Sequence, residues 1–267
     1  MREPIGLLGS TFNYIQDAAA FKKSGSLEQF LENPKYFYEN EEPDEELSRM
    51  NLEHAHFAHN HMAFDLGYSA NNVPPAEIGN ILEETENFYD LVMLQDRFDE
   101  SLILLKEKFC WEMEDVLFLV QNRNNDSDQK NSDQKSSSQI FSKLRSKRSK
   151  LTDSLSDSQK QKIKNWNQVD TALYNHFATV LDSKIEKFGV LRMEREVEKL
   201  RAENDKIHKK CISGTEIQTK STKFSFVPKN SKIVRYRLKS SMKHDPLCNN
   251  LVRSSLNFLH LLRLRSF

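Results

Sequence analysis

Four residues near the start of the chain have types and spacing that suit the binding of a phosphate group. Arg2, Pro4, Ser10 and Tyr14 follow the pattern R-x-P-x5-S-x3-Y. A guanidinium offers a phosphate a rigid fork of N–H donors, and the serine hydroxyl adds one more. Because proline lacks an amide hydrogen and ends a strand, the pattern predicts a strand end followed by a helix over residues 7–14, whose start favours an anion. The alternative is an ordinary strand-to-helix turn with a surface arginine.

The rest of the chain predicts mainly helices, with two short strands, to hold this turn. Ser26 is predicted to cap a helix that ends before Pro34. Further helices are predicted at 45–60, 78–87, 98–109 and over most of 151–210. Residues 184–210 are predicted to form a charged helix. The apolar runs 91–94 and 116–120 are typical of buried strands. Residues 256–264 are predicted to form a basic amphipathic helix. Alternating helices and strands indicate an α/β fold.

Five later segments resemble the galactosylceramide sulfotransferase and galactose 3-O-sulfotransferase family. In family order they are FLENPKYFY (30–38), NHMAFDLGY (60–68), LVMLQDRFDESLILLKEKFCWEMEDVLFL (91–119), NWNQVDTALYNHF (165–177) and SKIVRYRLKSSM (231–242). The N-terminal pattern is similar to the element that binds the 3′-phosphate of 3′-phosphoadenosine 5′-phosphosulfate (PAPS) in such enzymes. The resemblance therefore implies that Arg2 and Ser10 bind the PAPS donor.

The same resemblance implies a fold, a reaction and a location. The fold is expected to be α/β of the P-loop-like sulfotransferase kind, a partly parallel sheet flanked by helices, forming one sulfotransferase domain over residues 1–267. The reaction is expected to be transfer of a sulfuryl group from PAPS to the 3-hydroxyl of galactose on a galactose-terminated glycolipid or glycan. Members of the family lie in the Golgi membrane with the enzyme on the lumenal side.

The chain departs from the family pattern at its start. In the family, the loop that holds the 5′-phosphosulfate and the catalytic base lie upstream of the 3′-phosphate element, with which this chain begins. We therefore expect an N-terminally truncated, C-terminal part of the family domain, with the catalytic base upstream of residue 1 and no sulfate transfer by residues 1–267 alone. The alternative is a catalytically inactive fragment or a nucleotide- or partner-binding remnant.

Composition narrows the classes of partner. Lys plus Arg and Asp plus Glu both total 39, so no overall basic field favours nucleic acid. No apolar run approaches the length that spans a bilayer.

The low-complexity residues 121–139 are expected to form a disordered insert, followed by a basic, solvated linker at 143–150. Asn125 begins an N-D-S glycosylation sequon, which matters only in a lumenal protein.

Histidines and acidic residues give weaker candidates. The sequence EHAHFAHNH contains four histidines: His54, His56, His59 and His61. Their spacing does not place them on one face of a helix, and no HExxH motif is present, so no metal site is predicted. His176 is a pocket candidate, with a satisfied core histidine as the alternative. Asp99 is expected to cap a helix, whereas Glu100 is a candidate to face the pocket.

Three cysteines leave the disulfide pattern open. Cys110, Cys211 and Cys248 allow one pair with a free thiol, or a partner outside this chain. No CxxC is present, which disfavours a zinc ribbon. Beside Trp111, Cys110 is expected to be a buried, reduced thiol.

Overall fold

The structure is a computed structural model that describes residues 1–15, 20–40, 55–69, 71, 73–119, 123–124, 154–222, 227 and 233–265. The chain divides into two compact units. The first comprises Met1–Leu105 and Lys147–Met193, and the second comprises Lys106–Ser146 and Glu194–Phe267. The linker, the Asn125 sequon and the predicted insert, apart from Arg123 and Asn124, lie outside the described residues. Arg123 and Asn124 form a short paired strand instead of disordered chain.

All the regular secondary structure described in the first unit is helical. Its helices are α1 (Pro4–Ile15), α2 (Leu27–Glu32), α3 (Pro34–Glu39), α4 (His61–Asp65), α5 (Pro75–Phe88), the first part of α6 (Phe98–Phe109), α7 (Asp157–Trp166) and α8 (Gln168–Phe188). Short 3₁₀ turns at Ala55–Ala58 and Gln95–Arg97 precede α4 and α6.

Polar caps explain where several of these helices begin. Ser26 accepts from the Gln29 amide at the start of α2, as predicted. Asn33 caps α3, whose first residue is Pro34. Ser156 and Gln159 form a reciprocal capping box at the start of α7. Local sequence therefore fixes these boundaries.

Aromatic side chains fill the main core of the first unit. Phe12 and Phe21 meet edge to face at 5.1 Å, and Phe21 meets Phe30 in the same way at 5.0 Å. Leu8 and Phe12 place one side of α1 in this core, where α1 packs against α7. The core thereby fixes α1, which carries the predicted phosphate-binding residues.

The second unit contains the sheet and the C-terminal helices. Its elements are most of α9 (Val190–Cys211), strands β1 (Arg123–Asn124), β2 (Ile212–Gln218) and β3 (Ile233–Leu238), and helices α10 (Pro246–Val252) and α11 (Ser255–Arg265). The strand order is β1-β3-β2, and both pairings are antiparallel. Short 3₁₀ turns lie at Met113–Val116 and Ser240–Met242.

The sheet differs from the prediction of a partly parallel one. The described strands form only the antiparallel sheet. Residues 91–94 are extended and Leu94 is buried, but they belong to no strand. Their pairing consists of the Met1 nitrogen donating to Met93 O at 2.6 Å and the Gln95 amide donating to Met1 O at 2.8 Å. This is the hydrogen-bond pattern of parallel segments, at one position.

Three other element predictions need correction. The predicted strand at 116–120 is absent from its described residues, because the Phe118 amide donates at 2.9 Å to the Asn204 side chain instead of to a neighbouring strand. The charged helix predicted at 184–210 is broken at Gly189, which ends α8 at a φ of 98°. Helix α11 forms as predicted, but its apolar residues surround the axis, so it is not amphipathic.

Candidate functional site

Backbone contacts position Arg2 at the start of α1. Met1 pairs with residues 93–95, and the Arg2 amide lies 3.3 Å from Met62 Sδ. Arg2 is therefore held between the extended segment that leads to α6 and the short helix α4. Pro4 is the first residue of α1, so the helix begins three residues before the predicted start at Leu7. Proline is tolerated there because the first amides of a helix have no intrahelical acceptor.

The Arg2 side chain folds over Gly6. A Cβ placed on Gly6 would lie 3.5 Å from Arg2 Nε and 3.7 Å from Arg2 Nη2, so the guanidinium rests against the first turn of α1. The side chain is half-buried, and no described residue makes a hydrogen bond or ion pair with its guanidinium. Burial lowers the pKa of Arg2, while the nearby Glu3 and Asp96 carboxylates act in the opposite direction. A half-buried, charged donor without a partner is suited to an anionic ligand.

Ser10 lies on the same side of α1 as Gly6. Residues four apart on a helix are neighbours on one face, so Ser10 follows Gly6 by one turn on that face. Ser10 is partly buried, and its hydroxyl has no hydrogen-bond partner within the described part of the chain. The Arg2 guanidinium therefore lies over Gly6, one helical turn before Ser10. The side chain of Tyr14 lies outside the described residues.

The backbone amides at the start of α1 are less available than the sequence suggests. The Glu3 carboxylate accepts from the Gly6 amide at 2.9 Å and so occupies the anion position at the helix start. A phosphate near this turn would therefore rely on the Arg2 and Ser10 side chains.

Asp96 and Tyr174 form a polar pair close to Arg2. The Tyr174 hydroxyl donates to Asp96 Oδ2 at 2.7 Å. Burial, followed by this hydrogen bond and the negative charge of Asp96, raises the pKa of Tyr174, so the phenol stays protonated. The Asp96 carboxylate is thereby engaged by a neutral donor and leaves the guanidinium unpaired.

Glu100 does not occupy the role suggested for it. Arg97 donates to its two carboxylate oxygens at 3.1 and 3.3 Å, and also pairs with Asp182 on α8. Glu100 therefore belongs to an ion-pair group that joins α6 to α8. Asp99 is buried in the first turn of α6.

A reciprocal cap, which the sequence did not predict, joins α4 to α8. The Asp170 carboxylate accepts from the Met62 and Ala63 amides at the start of α4, at 3.1 and 2.9 Å. In return, the Asn60 side chain accepts from the Val169 and Asp170 amides at the start of α8, at 3.2 and 3.3 Å.

Further contacts complete this reciprocal cap. The Asn60 amide donates to Asn167 Oδ1 at 2.8 Å, and Asn60 adopts a left-handed φ of 44°. Burial raises the pKa of Asp170 to about 6, although its two amide donors favour the ionised form. The pattern N-x-x-D at 167–170 is the available sequence clue, since it is typical of a helix start. It points to a cap within one helix, whereas the structure exchanges caps between two.

The histidines have structural partners instead of a shared ligand. His59 stacks on Trp166 with ring centroids 4.0 Å apart, and His61 pairs with Asp65 at 3.4 Å. His176 Nε2 lies 2.6 Å from Glu86 Oε2, in a partly exposed contact that joins α8 to α5. Among the residues described, no group of three or more His, Cys, Asp or Glu is placed to hold a metal ion. His54 lies outside them, as does the His56 side chain.

One of the open cysteine patterns is realised. Cys211 and Cys248 form a disulfide with a Cα–Cα distance of 5.4 Å, and both are fully buried between α9 and α10. Cys110 is a free thiol and is exposed, so the expectation of a buried thiol is wrong. Within the described ranges, no helix has both the length and the apolar character to cross a membrane.

Comparisons with known proteins cover almost the whole chain. The family model described as galactose-3-O-sulfotransferase matches residues 1–265. The bovine and human galactosylceramide sulfotransferases are each 31% identical to the chain, over 97% of its length and 56% of theirs. Mouse galactose-3-O-sulfotransferase 3 is 29% identical over 79% of the chain and 43% of its own length.

The chain thus spans about half the length of the curated relatives it matches. No solved structure matches it significantly. The family match covers residues of both units. The chain belongs to the galactose-3-O-sulfotransferase family.

Proposed function

We propose that this chain acts in a PAPS-dependent sulfotransferase that sulfates the 3-hydroxyl of a terminal galactose on a glycolipid or glycan. The names of its relatives support a sulfotransferase and a galactose-containing acceptor. Arg2 and Ser10 would bind the 3′-phosphate of the donor. These two residues would thereby anchor the end of the donor that is remote from the transferred group.

The unpaired Arg2 guanidinium is the observation that carries this proposal. Other partly buried arginines donate to protein acceptors; they include Arg97, Arg235 and Arg253. The Arg2 donors stay free although the Glu3 and Asp96 carboxylates lie close. Glu3 caps α1 by accepting from the Gly6 amide, and Asp96 accepts from the Tyr174 hydroxyl. Such an arrangement holds a guanidinium in a fixed position for an outside acceptor.

The chemistry assigned to these residues is binding and orientation. Sulfuryl transfer, like phosphoryl transfer, requires the donor and the attacking hydroxyl to be held in line. A bidentate arginine fixes both the position and the direction of a phosphate. The 3′-phosphate contact would thus contribute by orienting the nucleotide, while the residues that contact the sulfuryl group and the catalytic base stay unassigned.

Other features agree with a lumenal enzyme. Disulfides such as Cys211–Cys248 form and persist in oxidising compartments, which include the secretory pathway. We therefore keep the Golgi lumen as the proposed location and Asn125 as a proposed glycosylation site. A single sulfotransferase domain over 1–267 also stays a proposal.

Calorimetry with two nucleotides tests the donor site. Arg2→Ala should weaken binding of 3′-phosphoadenosine 5′-phosphate by about 1.5–3 kcal/mol, the range for a hydrogen bond to a charged group. Binding of adenosine 5′-phosphate, which lacks the 3′-phosphate, should change little. The control is Arg195→Ala, which removes an exposed arginine of α9.

Equal effects on the two nucleotides, or none on either, would contradict the assignment of Arg2 to the 3′-phosphate. The reaction itself is tested with the protein that carries this chain, by transfer of radiolabelled sulfate from PAPS to a galactose-terminated acceptor. Binding of the nucleotide without transfer would favour the alternative of a nucleotide-binding remnant.

A further inference from the structure

Two exposed aromatic rings stack on each other in the second unit. The rings of Phe109 and Trp111 have centroids 4.9 Å apart and planes 21° apart. The side chains are 53% and 40% exposed. Each ring thus covers one face of the other, and both side chains keep a large part of their surface in contact with solvent.

The end of helix α6 forces these rings together. The Trp111 amide donates to Lys106 O at 2.9 Å, and the Cys110 amide donates to Glu107 O at 3.3 Å. This is the Schellman motif, whose intermediate residue adopts a left-handed conformation and is usually glycine. Here that residue is Cys110, with a φ of 53°. A side chain in this conformation is strained, so the sequence maintains this turn at an energetic cost.

The chain after Trp111 is anchored as firmly as the chain before it. Glu112 and Asp115 exchange side-chain and backbone hydrogen bonds in a capping box, with the Glu112 amide donating to Asp115 Oδ2 at 2.9 Å. Met113 and Val116 are buried. Trp111 is therefore an exposed ring between two fixed turns, which limits the entropy lost when a ligand binds.

A second exposed aromatic pair shows that this geometry is not a general feature of helix ends here. Phe88 and Tyr89 lie at the end of α5, with ring centroids 4.8 Å apart, but their planes are inclined by 75°. They are 79% and 40% exposed. An edge-to-face pair offers no continuous flat surface, so it provides a matched comparison.

Charged side chains flank the stacked pair in the sequence. Glu112, Glu114 and Asp115 follow Trp111 and are exposed, while Lys106 and Lys108 precede Phe109. The carboxylates accept hydrogen bonds from hydroxyl groups, and the lysine ammonium groups donate to them. A flat aromatic face beside hydroxyl acceptors suits a neutral sugar ring, which has C–H groups on one face and hydroxyls at its edge.

We propose that Phe109 and Trp111 form the platform that binds the galactose ring of the acceptor. This inference rests on the proposed function, because it assigns the substrate of that reaction to a site. The C–H face of galactose, which its axial 4-hydroxyl leaves clear, stacks on Trp111. The carboxylates of Glu112 and Glu114 accept hydrogen bonds from the sugar hydroxyls.

Titration of the chain with methyl β-galactoside tests the platform. Saturation-transfer NMR should show binding to the wild-type chain, about tenfold weaker binding to Trp111→Ala, and partial recovery in Trp111→Phe. Phe88→Ala is the matched control and should bind like the wild type. The sugar should also change the fluorescence of the wild type, because Trp111 is one of only two tryptophans, and this change should vanish in Trp111→Phe.

Three results would overturn the platform: no saturable binding by the wild-type chain, unchanged binding by Trp111→Ala, or an equal loss in Phe88→Ala. The donor experiment is independent of all three, because 3′-phosphoadenosine 5′-phosphate binding is measured without sugar. Normal nucleotide binding with no effect of Trp111→Ala on galactoside binding would reject the platform alone. Failure of the Arg2 experiment would reject the donor site instead.

Discussion

Two polar regions of the first unit, both next to Met62, use hydrogen bonds in opposite ways. In the reciprocal cap, the buried Asp170 and Asn60 side chains each accept from two backbone amides. At the start of α1, the half-buried Arg2 guanidinium has no partner among the described residues. The first region satisfies its polar groups within the fold, and the second leaves strong donors for something outside it.

This difference separates polar groups that hold the fold from polar groups that bind. Buried donors and acceptors are nearly always paired, and an unpaired one costs free energy that a ligand can recover. The reciprocal cap should therefore govern stability with little effect on nucleotide affinity. Arg2 should govern affinity with little effect on stability.

The largest expected effect comes from Asn60→Ala. The change leaves the Val169 and Asp170 amides without an acceptor and puts alanine at a φ of 44°. Each unpaired buried group costs about 1–3 kcal/mol and the left-handed conformation about 1–2 kcal/mol, so unfolding in urea should show a loss of about 3 kcal/mol or more.

Asn175→Ala is the control for this experiment, because Asn175 lies on the exposed side of α8, the helix whose first amides Asn60 caps. It should change stability by less than about 0.5 kcal/mol. A similarly small loss in Asn60→Ala would mean that the amides find other acceptors, and the contrast between the two regions would fail.

The second-largest expected effect is the pH dependence of the stability that Asp170 contributes. Its pKa is raised from 3.8 to about 6 in the folded chain, so the folded state binds the proton more tightly than the unfolded state. The stability from this group is complete below pH 3.8 and is lost as the pH rises through about 6. The change is on the order of 3 kcal/mol.

Urea unfolding of the wild type and of Asp170→Asn at a series of pH values isolates this effect, since other groups titrate equally in both. The stability advantage of the wild type should shrink as the pH rises from about 4 to about 7. A growing advantage would show that the Met62 and Ala63 amides outweigh burial and hold the carboxyl ionised.

The sequence predicted features that depend on neighbouring residues. Ser26 caps α2 as predicted, because a cap acts within a few residues, whereas α1 begins at Pro4 and not at the predicted residue 7. The assignment of Arg2 and Ser10 to the donor phosphate stays a prediction from the same short segment of sequence.

Features that depend on distant contacts were missed. Asn60 and Asp170 are 110 residues apart, and nothing in either segment indicates the other as partner. The apolar run at 116–120 was predicted as a strand, but Asn204 takes the hydrogen bond that a strand neighbour would have accepted. Cys110 was expected to be buried because free cysteines commonly are, whereas the turn at the end of α6 exposes it.

The substitution Arg2→Lys tests whether phosphate binding needs the shape of the guanidinium or only its positive charge. Lysine keeps the positive charge but lacks the planar fork that contacts two phosphate oxygens at once. Binding of 3′-phosphoadenosine 5′-phosphate should weaken by about 1.4 kcal/mol, or tenfold, which is less than the loss in Arg2→Ala. The midpoint of urea unfolding should stay at the wild-type value. Full affinity in Arg2→Lys would indicate that charge alone holds the phosphate.

The smallest effect is expected for Ser10→Ala. The hydroxyl adds one neutral donor to a phosphate that Arg2 already binds, so its loss should cost about 1 kcal/mol of nucleotide affinity. Stability should not fall, because the hydroxyl has no protein partner in the described structure and alanine favours the helix. Calorimetry with 3′-phosphoadenosine 5′-phosphate measures the first quantity and urea unfolding the second, with the exposed Ser158→Ala as control. A loss of stability without a loss of affinity would place Ser10 with the reciprocal cap, as part of the scaffold, and would leave Arg2 to bind the phosphate alone.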